Sequence, residues 1–337
     1  LLGLRKNLKD LVLFAAYWSL GCLGESEFRE RVMSQLSAAL KTEHLGNIAD
    51  RRLNSKNMEW VSWSTLLDNQ ASQSQSGEEI VVPTPEFIRN LGMNLMLMSN
   101  KKPILNPGSV GSGKTLLMNQ IFSKYLSKDF NTASYSLSAR TTPQQLSDFI
   151  FSQIDKRRKG VFGPPNLRKC VVHLDDVNMP MKEVWGAQPS IEILRQLLDQ
   201  KAWHVIKHGK EYLQLEDIIF AGSMVPPRVG RNEVSARFTR HFFVLPFLEF
   251  DTQTLKTIYQ SILQKSFEKS NLWELKEEVV LLVEGAIDVF KAVQRTLLPT
   301  PSKSHYLFNI RDLAKVISGI CLFNSSDNRK SEVWNLW

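Results

Sequence analysis

The chain has 337 residues, 43% of them hydrophobic and 23% charged, which is typical of a soluble globular protein with about two domains and a large core. No apolar run is long enough to span a bilayer, so no membrane segment is expected. The net charge of +8 and the pI near 9.3 suggest a nucleic-acid partner, but the basic residues are scattered along the chain. Their one compact run, Lys156-Arg157-Arg158-Lys159, lacks interleaved aromatic residues, so it predicts a solvated loop and no nucleic-acid partner.

Cysteine and histidine residues form no metal-binding pattern. Cys22, Cys170 and Cys321 are isolated, and an odd, scattered set indicates a reducing compartment. His204 and His208 have the spacing of helical metal ligands, but their segment does not have a helical pattern, so we expect no zinc there.

The N-terminal part of the chain predicts helices followed by a linker. Residues 4–40 carry apolar side chains at amphipathic spacing and show no catalytic signature. Residues 68–79 are polar and rich in Gln and Ser, which is typical of a flexible connector. Order returns at residues 80–85, where Thr84 is suited to cap a helix whose first residue is Pro85.

Residues 108–115 fit the phosphate-binding loop pattern G-x-x-x-x-G-K-[ST] at every required position. Glycines let the backbone curl and turn its N–H groups toward phosphate oxygens, and the helix that follows presents its positive end to the same anion. We expect Lys114 to reach the outer phosphates and the Thr115 hydroxyl to ligate the accompanying magnesium ion. The residues expected to bind nucleotide in this loop are Gly108, Gly111, Ser112, Gly113, Lys114, Thr115 and Leu116.

A short buried strand, Pro103-Ile104-Leu105, is expected to lead into this loop. Asn106 and Pro107 then occupy positions where apolar residues would normally finish the strand. Because proline lacks the N–H that a strand ladder needs, Pro107 fits a strand end better than a strand middle. We expect the strand either to end early or to lead into the loop at a different angle, and either arrangement would weaken nucleotide binding.

A second motif lies downstream, where residues 170–176 predict a central parallel strand that ends in two carboxylates. A strand tip beside a phosphate loop is the position for a magnesium-associated carboxylate. We therefore expect Asp175 to hold the metal through water and Asp176 to polarise the attacking water. The alternative is an ordinary strand end with two solvated aspartates. His173, inside the strand, is expected to be a packed, hydrogen-bonded core residue rather than a ligand.

The remaining patterns predict an α/β layer followed by an all-helical lobe. Thr142 and Gln145 form a capping box at one helix start, and Asn309 caps the last helix. The later elements are expected at residues 191–200 (helix), 212–215 and 218–221 (strands), 255–262, 279–298 and 310–320 (helices). The predicted fold class is α/β, with a parallel sheet flanked by helices and a helical small lobe.

These features resemble an AAA+ ATPase module, and specifically dynein heavy chain, over nearly the whole chain. The most specific stretches are similar to the third AAA+ module of axonemal-type heavy chains, more than to the cytoplasmic type. They are residues 154–165, residues 175–180 (Asp-Asp-Val-Asn-Met-Pro) and residues 186–196 (beginning Gly-Ala-Gln-Pro). Residues 18–21 and 60–63 resemble the end of the second module and the bridge to the third.

The resemblance implies a P-loop AAA+ module that is preceded by a helical segment of the previous module. It divides the chain into a helical tail of the preceding module (1–60), a flexible connector (61–80), an α/β nucleotide-binding large subdomain (81–248) and an incomplete helical small subdomain (249–337).

Five further site residues are implied by the resemblance. Val82 and Pro83 are similar to the family segment that lies against the adenine. Arg237 stands where the family places its arginine finger, which reaches the nucleotide of the adjacent module, and Arg240 is the alternative finger. Arg311 resembles the second sensor of the helical lobe, and it falls opposite the apolar stripe of its helix.

Two departures from the family pattern bear on catalysis. Asp176 replaces the glutamate typical of vigorous AAA+ hydrolases, and its side chain is one methylene shorter, which would hold the water out of reach. Met224 appears at the first-sensor position, where many AAA+ proteins have Asn, and Ser223 is the nearest hydroxyl. Both departures suggest that nucleotide occupancy matters more than turnover.

The resemblance implies an ATP-binding ring module that contributes to or regulates ATP-driven, minus-end-directed microtubule movement by an axonemal-type dynein. The implied cofactors are ATP or ADP with Mg²⁺. The implied partners are neighbouring AAA+ modules of the same heavy chain and, through the full-length protein, microtubules and dynein light and intermediate chains, with no nucleic acid and no membrane. The implied location is the cytoskeleton of the cytoplasm and the cilium axoneme. A nucleotide-binding structural module without hydrolysis and a truncated, non-functional dynein-like product remain the alternatives.

Overall fold

The computed structural model describes residues 7–20, 26–40, 50–54, 58–66, 81–126, 128–205, 211–227, 231–269 and 278–322. The connector predicted at 68–79, together with Cys22 and His208, lies outside the described residues. The chain divides into two compact units. The sheet unit comprises Leu1–Thr65, Pro85–Ser109 and Gly113–Phe247, and the helical unit comprises Leu66–Thr84, Val110–Ser112 and Leu248–Trp337.

Two helices, α1 (Leu8–Ser19) and α2 (Ser26–Leu40), open the sheet unit. They share a small apolar cluster in which Leu13, Tyr17 and Met33 are buried. This cluster explains the amphipathic spacing of the segment, and it confirms the helices predicted between residues 4 and 40.

An antiparallel hairpin follows, made of β1 (Arg51–Leu53) and β2 (Trp60–Ser62), and a 3₁₀ turn, Trp63–Leu66, comes directly after it. Sequence patterns did not predict this hairpin, since a three-residue strand is too short to show alternation. It lies where we expected the helical tail and the start of the connector.

The rest of the sheet unit alternates helices and strands. Its first half contains α3 (Pro85–Ser99), β3 (Ile104–Pro107), α4 (Lys114–Gln120), β4 (Phe130–Ser136), α5 (Pro143–Phe151), β5 (Asp155–Arg158) and β6 (Val161–Gly163). Its second half contains β7 (Lys169–Asp175), α6 (Pro189–Gln200), β8 (Ala202–Val205), β9 (Glu211–Leu215), β10 (Ile218–Met224), α7 (Ala236–Thr239) and β11 (Phe243–Val244). A π-helical turn, Ile121–Tyr125, continues α4, and the capping box of Thr142 and Gln145 begins α5 as predicted.

The core is a five-stranded sheet with the strand order β11-β3-β10-β7-β4, and every pair in it is parallel. The inner strands β7 and β10 are buried along five consecutive residues each, which explains their nearly continuous apolar runs. Because parallel strands point the same way, the carboxyl ends of β3, β10 and β7 lie side by side at one edge of the sheet. The predicted parallel sheet flanked by helices is confirmed.

Strand β3 does not end early. It continues through Asn106 to Pro107, whose register partner in β10 is Met224. Asn106 is fully buried, and its side-chain amide donates to the Asn94 Oδ1 atom at 3.1 Å. Pro107 is the last residue of the strand, where its missing N–H costs no ladder bond, and its carbonyl accepts from the Phe247 N–H at 2.7 Å.

A second sheet has the order β5-β6-β9-β8. It contains most of the basic run at 156–159, so the prediction of a solvated loop was wrong. Arg157 is only 14% exposed, and its Nη1 atom lies 2.6 Å from Asp217 Oδ2. Arg158 pairs with Glu216 at 2.9 Å. The run is ordered because these two acids, distant in sequence, follow β9 and neutralise it.

The helical unit contains α8 (Thr252–Lys269), α9 (Val279–Thr296) and α10 (Ile310–Cys321), as the helical patterns predicted. Asn309 caps α10, and its side chain accepts from the Arg311 N–H at 2.8 Å. The buried core of this unit includes Leu255, Tyr259, Leu263, Phe267, Leu282, Val283, Ile287, Leu313, Ile317 and Ile320.

None of the helices in the described ranges combines the length and the apolar character needed to cross a bilayer. Within the same ranges, no group of three or more His, Cys, Asp or Glu side chains is arranged to hold a metal ion.

Candidate nucleotide-binding site

The phosphate-loop residues connect β3 to α4 through a curled backbone. Gly111 and Gly113 have φ angles of +84° and +85°, a region that glycine adopts without the penalty paid by other residues. Gly113 forms the N-cap of α4. The start of the loop is anchored, because the Gly108 N–H donates to the Met224 carbonyl at 3.0 Å. Met224, expected only as a replaced first sensor, therefore also fixes the loop through its main chain.

Lys114 folds back onto the loop that precedes it. Its Nζ atom donates to the carbonyls of Gly108 at 2.8 Å and Ser109 at 2.7 Å. The residue is 8% exposed, so water screens its positive charge only weakly at the loop. A flexible lysine held in this way can exchange carbonyl oxygens for phosphate oxygens with little movement.

Thr115 and Asp175 meet at the edge of the sheet. The Thr115 hydroxyl donates to Asp175 Oδ2 at 3.0 Å, although the two residues are 60 positions apart. Mg²⁺ prefers oxygen ligands and keeps several of its waters in protein sites. A hydroxyl next to a carboxylate is therefore chemically suited to hold this ion, with the carboxylate acting through a bound water. The phosphate loop and the strand tip do converge.

Asp176 follows β7 in a left-handed backbone conformation, with φ of +56°. Its N–H donates to Asp175 Oδ1 at 3.0 Å, and its own Oδ1 atom lies 2.9 Å from the Nη1 atom of Arg231. Asp176 is therefore not an aspartate surrounded only by solvent, and one of its two carboxylate oxygens is already in an ion pair. Arg231 was not predicted from the sequence, since nothing in its local pattern points to a partner in another segment.

His173 is a satisfied core residue, as predicted. It is 1% exposed, with its Nε2 atom 2.9 Å from the Ser223 hydroxyl and its Nδ1 atom 3.1 Å from the Ser134 hydroxyl. Burial lowers the pKa of His173 below its ordinary value, and the nearby Asp175 carboxylate acts in the opposite direction. The contact also engages the Ser223 hydroxyl, the nearest candidate for a first-sensor group.

The two finger candidates differ in their surroundings. Arg240 is held at the surface, because its Nη2 atom lies 3.1 Å from Asp199 Oδ1. Arg237, on α7, is exposed, and within the described ranges its side chain has no hydrogen bond or ion pair. Of the two, Arg237 has the side chain that is available to a neighbouring molecule.

Arg311 lies beside the tip of the phosphate loop, inside the helical unit. A Cβ atom placed on Gly111 would stand 3.2 Å from Ile310 Cβ and 3.8 Å from Arg311 Cγ. Val82 and Pro83 are half-buried residues of the same unit, and Leu116 is half-buried in the first turn of α4. Ile310 and Arg311, the proposed second sensor, are thus close neighbours of the loop tip.

Comparison with known proteins agrees with this geometry. Residues 69–250, more than half of the chain, match the family described as the P-loop containing dynein motor region. Residues 282–337 match the AAA+ lid domain.

Several axonemal dynein heavy chains are similar to most of the chain. Dynein axonemal heavy chain 1 of Mus musculus is 35% identical, covering 96% of this chain and 8% of its own length. The protein of the same name from Homo sapiens is 36% identical, covering 92% of this chain and 8% of its own length. Dynein axonemal heavy chain 12 of Mus musculus is 38% identical, covering 81% of this chain and 9% of its own length.

The chain thus spans less than a tenth of the length of these relatives. The motif resemblance, the parallel sheet with its phosphate loop, and the match over more than half of the chain agree with one another. The chain belongs to the family of P-loop dynein motor regions and is an AAA+ module of that family.

Proposed function

We propose that this module binds ATP or ADP together with Mg²⁺ and that its nucleotide state regulates an axonemal-type dynein motor. The observation that carries the proposal is the 3.0 Å contact between Thr115 and Asp175, beside the buried ammonium of Lys114. A hydroxyl, a carboxylate and a lysine brought together at the end of a parallel sheet are the groups that hold a magnesium-bound triphosphate.

When bound, magnesium-associated ATP supplies a terminal phosphoryl group whose oxygens the cation polarises. Lys114 would neutralise the outer phosphates, Thr115 would hold the cation, and Asp175 would hold it through water. Asp176 accepts the proton of the attacking water as the water oxygen bonds to the terminal phosphorus. The bridging P–O bond breaks in the same step, with its electron pair leaving on ADP, and Asp176 then returns the proton to the released phosphate.

Arg237 and Arg311 have separate roles in this proposal. Arg237 is the finger for the neighbouring module of the same heavy chain, with Arg240 as the alternative, and it is favoured because its side chain is exposed and unoccupied among the described residues. Arg311 is the second sensor, which its position beside Gly111 supports. Val82 and Pro83 are assigned to the adenine.

The names of the relatives support a place in the axoneme, where the full heavy chain would move along microtubules with light and intermediate chains. A second candidate is a module that binds nucleotide without hydrolysing it. The ion pair between Asp176 and Arg231 favours this second candidate, since it occupies the carboxylate that would activate water.

Photo-cross-linking with an azido derivative of ATP tests the proposal in the native protein that carries this chain. The label should map to peptides of the phosphate loop, require Mg²⁺ and disappear in Lys114→Ala. Lys102→Ala is the matched control, because Lys102 is an exposed lysine shortly before β3. Label that persists in Lys114→Ala, or that never maps to this module, would contradict nucleotide binding at this site.

A further inference from the structure

We propose that Arg231 is a positioning residue for Asp176: it holds the Asp176 carboxylate in an ion pair and thereby slows the hydrolysis of bound ATP. The two side chains are 23% and 34% exposed, so the pair is largely shielded, with its closest N–O distance at 2.9 Å. The inference rests on the proposed function, because it concerns the water-activating role assigned to Asp176.

Asn232, the next residue in the chain, holds the segment containing Arg231 close to Asp176. The Asn232 N–H donates to the Asn178 carbonyl at 3.1 Å, and the Asn232 side-chain amide donates to the Pro180 carbonyl at 2.8 Å. Both acceptors lie in the turn that follows Asp176. The segment containing Arg231 is thus bound to that turn by two hydrogen bonds that do not involve Arg231 itself.

The turn is held from its other side by the end of β10. The Val177 N–H donates to the Ser223 carbonyl at 3.0 Å, and the Asn178 side-chain amide donates to the Val225 carbonyl at 2.6 Å. Val177 and Asn178 are both buried. The residues that follow Asp176 and the residue that follows Arg231 are therefore restrained, which makes the ion pair a built feature of the turn rather than a chance contact between flexible surface side chains.

The pair bears on catalysis through geometry. One carboxylate oxygen of Asp176 is held 2.9 Å from the Arg231 guanidinium in an ion pair, which fixes the direction in which the carboxylate points and restrains it from turning toward a water. Aspartate is also shorter than the glutamate of vigorous hydrolases, and a displacement of about 1 Å from the productive position costs about 100-fold in rate. Removing the guanidinium releases the carboxylate toward the water it would activate.

Single-turnover hydrolysis in the native protein tests this role, with the signal of the site defined as the part that Lys114→Ala abolishes. Arg231→Gln should raise the hydrolysis rate about fivefold while leaving the affinity for ATP within about twofold. The double variant Arg231→Gln/Asp176→Asn should lose that gain, because the gain passes through Asp176. Arg158→Gln is the matched control, since it removes an arginine whose ion pair has the same 2.9 Å distance in the second sheet.

A rate that is unchanged or lowered in Arg231→Gln, with nucleotide binding retained, would overturn the positioning role. A thermal double-mutant cycle without nucleotide supplies an independent readout. The shifts in melting temperature for Arg231→Gln and Asp176→Asn should be non-additive, and additive shifts would overturn the ion pair itself. Absence of nucleotide binding in the unaltered protein would instead overturn the proposed function, and with it the role in hydrolysis, while the cycle would still report on the pair.

Discussion

The Thr115 hydroxyl donates to the Asp175 carboxylate across 3.0 Å, joining the helix after the phosphate loop to the tip of β7. The bond depends on the parallel arrangement of β3, β10 and β7, because adjacent parallel strands carry both residues to the same edge of the sheet. The proposed magnesium site therefore depends on strand order, and we expect Thr115 and Asp175 to respond to substitution as one unit.

Asp175→Asn should weaken the affinity for ATP in the presence of Mg²⁺ by about 10- to 100-fold, with a much smaller effect when the metal is removed by chelation. The reason is that the lost carboxylate charge acts on the cation rather than on the nucleotide directly. Titration of a fluorescent ATP analogue with and without chelator measures the difference. Asp129→Asn, at an exposed aspartate just before β4, serves as the control. Equal losses under both conditions would exclude Asp175 as a metal ligand.

Gly111→Ala should destabilise the loop by about 1–2 kcal/mol, because its φ of +84° lies in the left-handed region. The added methyl would also approach Ile310 Cβ to 3.2 Å, so nucleotide affinity should fall as well. Gly160→Ala is a matched control, since Gly160 has a similar φ of +75° with no atom within 4 Å of the added methyl. Denaturant unfolding and nucleotide titration measure the two effects. A Gly160→Ala variant that loses nucleotide affinity to the same degree would show that crowding at the loop tip is irrelevant.

His173 should make folding stability sensitive to acid. Its pKa is lowered in the folded protein by burial, so the unfolded chain binds more protons in the range between the folded and the ordinary value of 6.5. The contribution is thus complete above pH 6.5 and is lost as the pH falls below it. His173→Leu should flatten this dependence and, by leaving the buried Ser223 hydroxyl without its partner, cost about 2 kcal/mol at neutral pH.

Denaturant midpoints measured between about pH 5 and pH 8 check the effect, because His titrates in that range. His305→Leu is the control, since His305 is exposed. If His173→Leu retained the full pH slope of the unaltered protein, the slope would belong to other groups.

Arg237→Ala should lower ATP hydrolysis in the neighbouring module by up to about 10³-fold while leaving the melting temperature of this module unchanged. Arg237 is exposed and, in the described part of the chain, its side chain makes no hydrogen bond or ion pair that the substitution would remove. Arg240→Ala should instead remove the contact with Asp199 and leave hydrolysis next door nearly intact. The measurement is single-turnover hydrolysis in the intact heavy chain. A larger loss in Arg240→Ala would reverse the assignment of the finger.

Asp217→Ala should cost about 3 kcal/mol of folding free energy, because it removes the 2.6 Å partner of the largely buried Arg157 and leaves only Glu216, whose Oε2 atom is 4.0 Å away. Nucleotide affinity should stay unchanged. Burial acts to raise the pKa of Asp217, but hydrogen bonds from Lys101 and Arg157 outweigh it and hold the pKa below its ordinary value. Denaturant unfolding measures the loss, and Asp155→Ala, at an exposed aspartate at the start of β5, is the control. Equal losses in the two variants would show that the ion pair contributes nothing.

Local patterns were sufficient to bring Thr115 and Asp175 together, and the 3.0 Å contact between them confirms that placement. Glycines and a helix start surround Lys114 and Thr115, and an apolar strand precedes Asp175. The roles of these residues toward nucleotide and metal stay predictions. Sequence reasoning failed where the partner is distant. Arg231 meets Asp176 across 55 positions, and nothing in its local pattern specifies that contact.

The prediction of a solvated loop at residues 156–159 was wrong for the same reason. Its charge is balanced by Glu216 and Asp217, which only the pairing of β6 with β9 brings near. Strands β1, β2 and β8 were missed because three or four residues show no reliable period. Pro107 predicts either an early end of β3 or a different angle into the loop; the early end is wrong, because the last position of a parallel strand tolerates proline.

Asp217 lies immediately before β10, at the end of the sheet opposite to Met224, and it binds both Lys101 and Arg157 while its carbonyl accepts from the Cys170 N–H. The side chain and the carbonyl of Asp217 together fasten three segments at the amino-terminal rim, whereas every group assigned to magnesium or water lies at the carboxyl-terminal rim. Inherited or engineered variants should accordingly fall into two groups. Substitutions near Asp217 would lower the amount of protein that accumulates in a cell. Substitutions near Asp175 would leave that amount normal and abolish nucleotide binding or hydrolysis at the site.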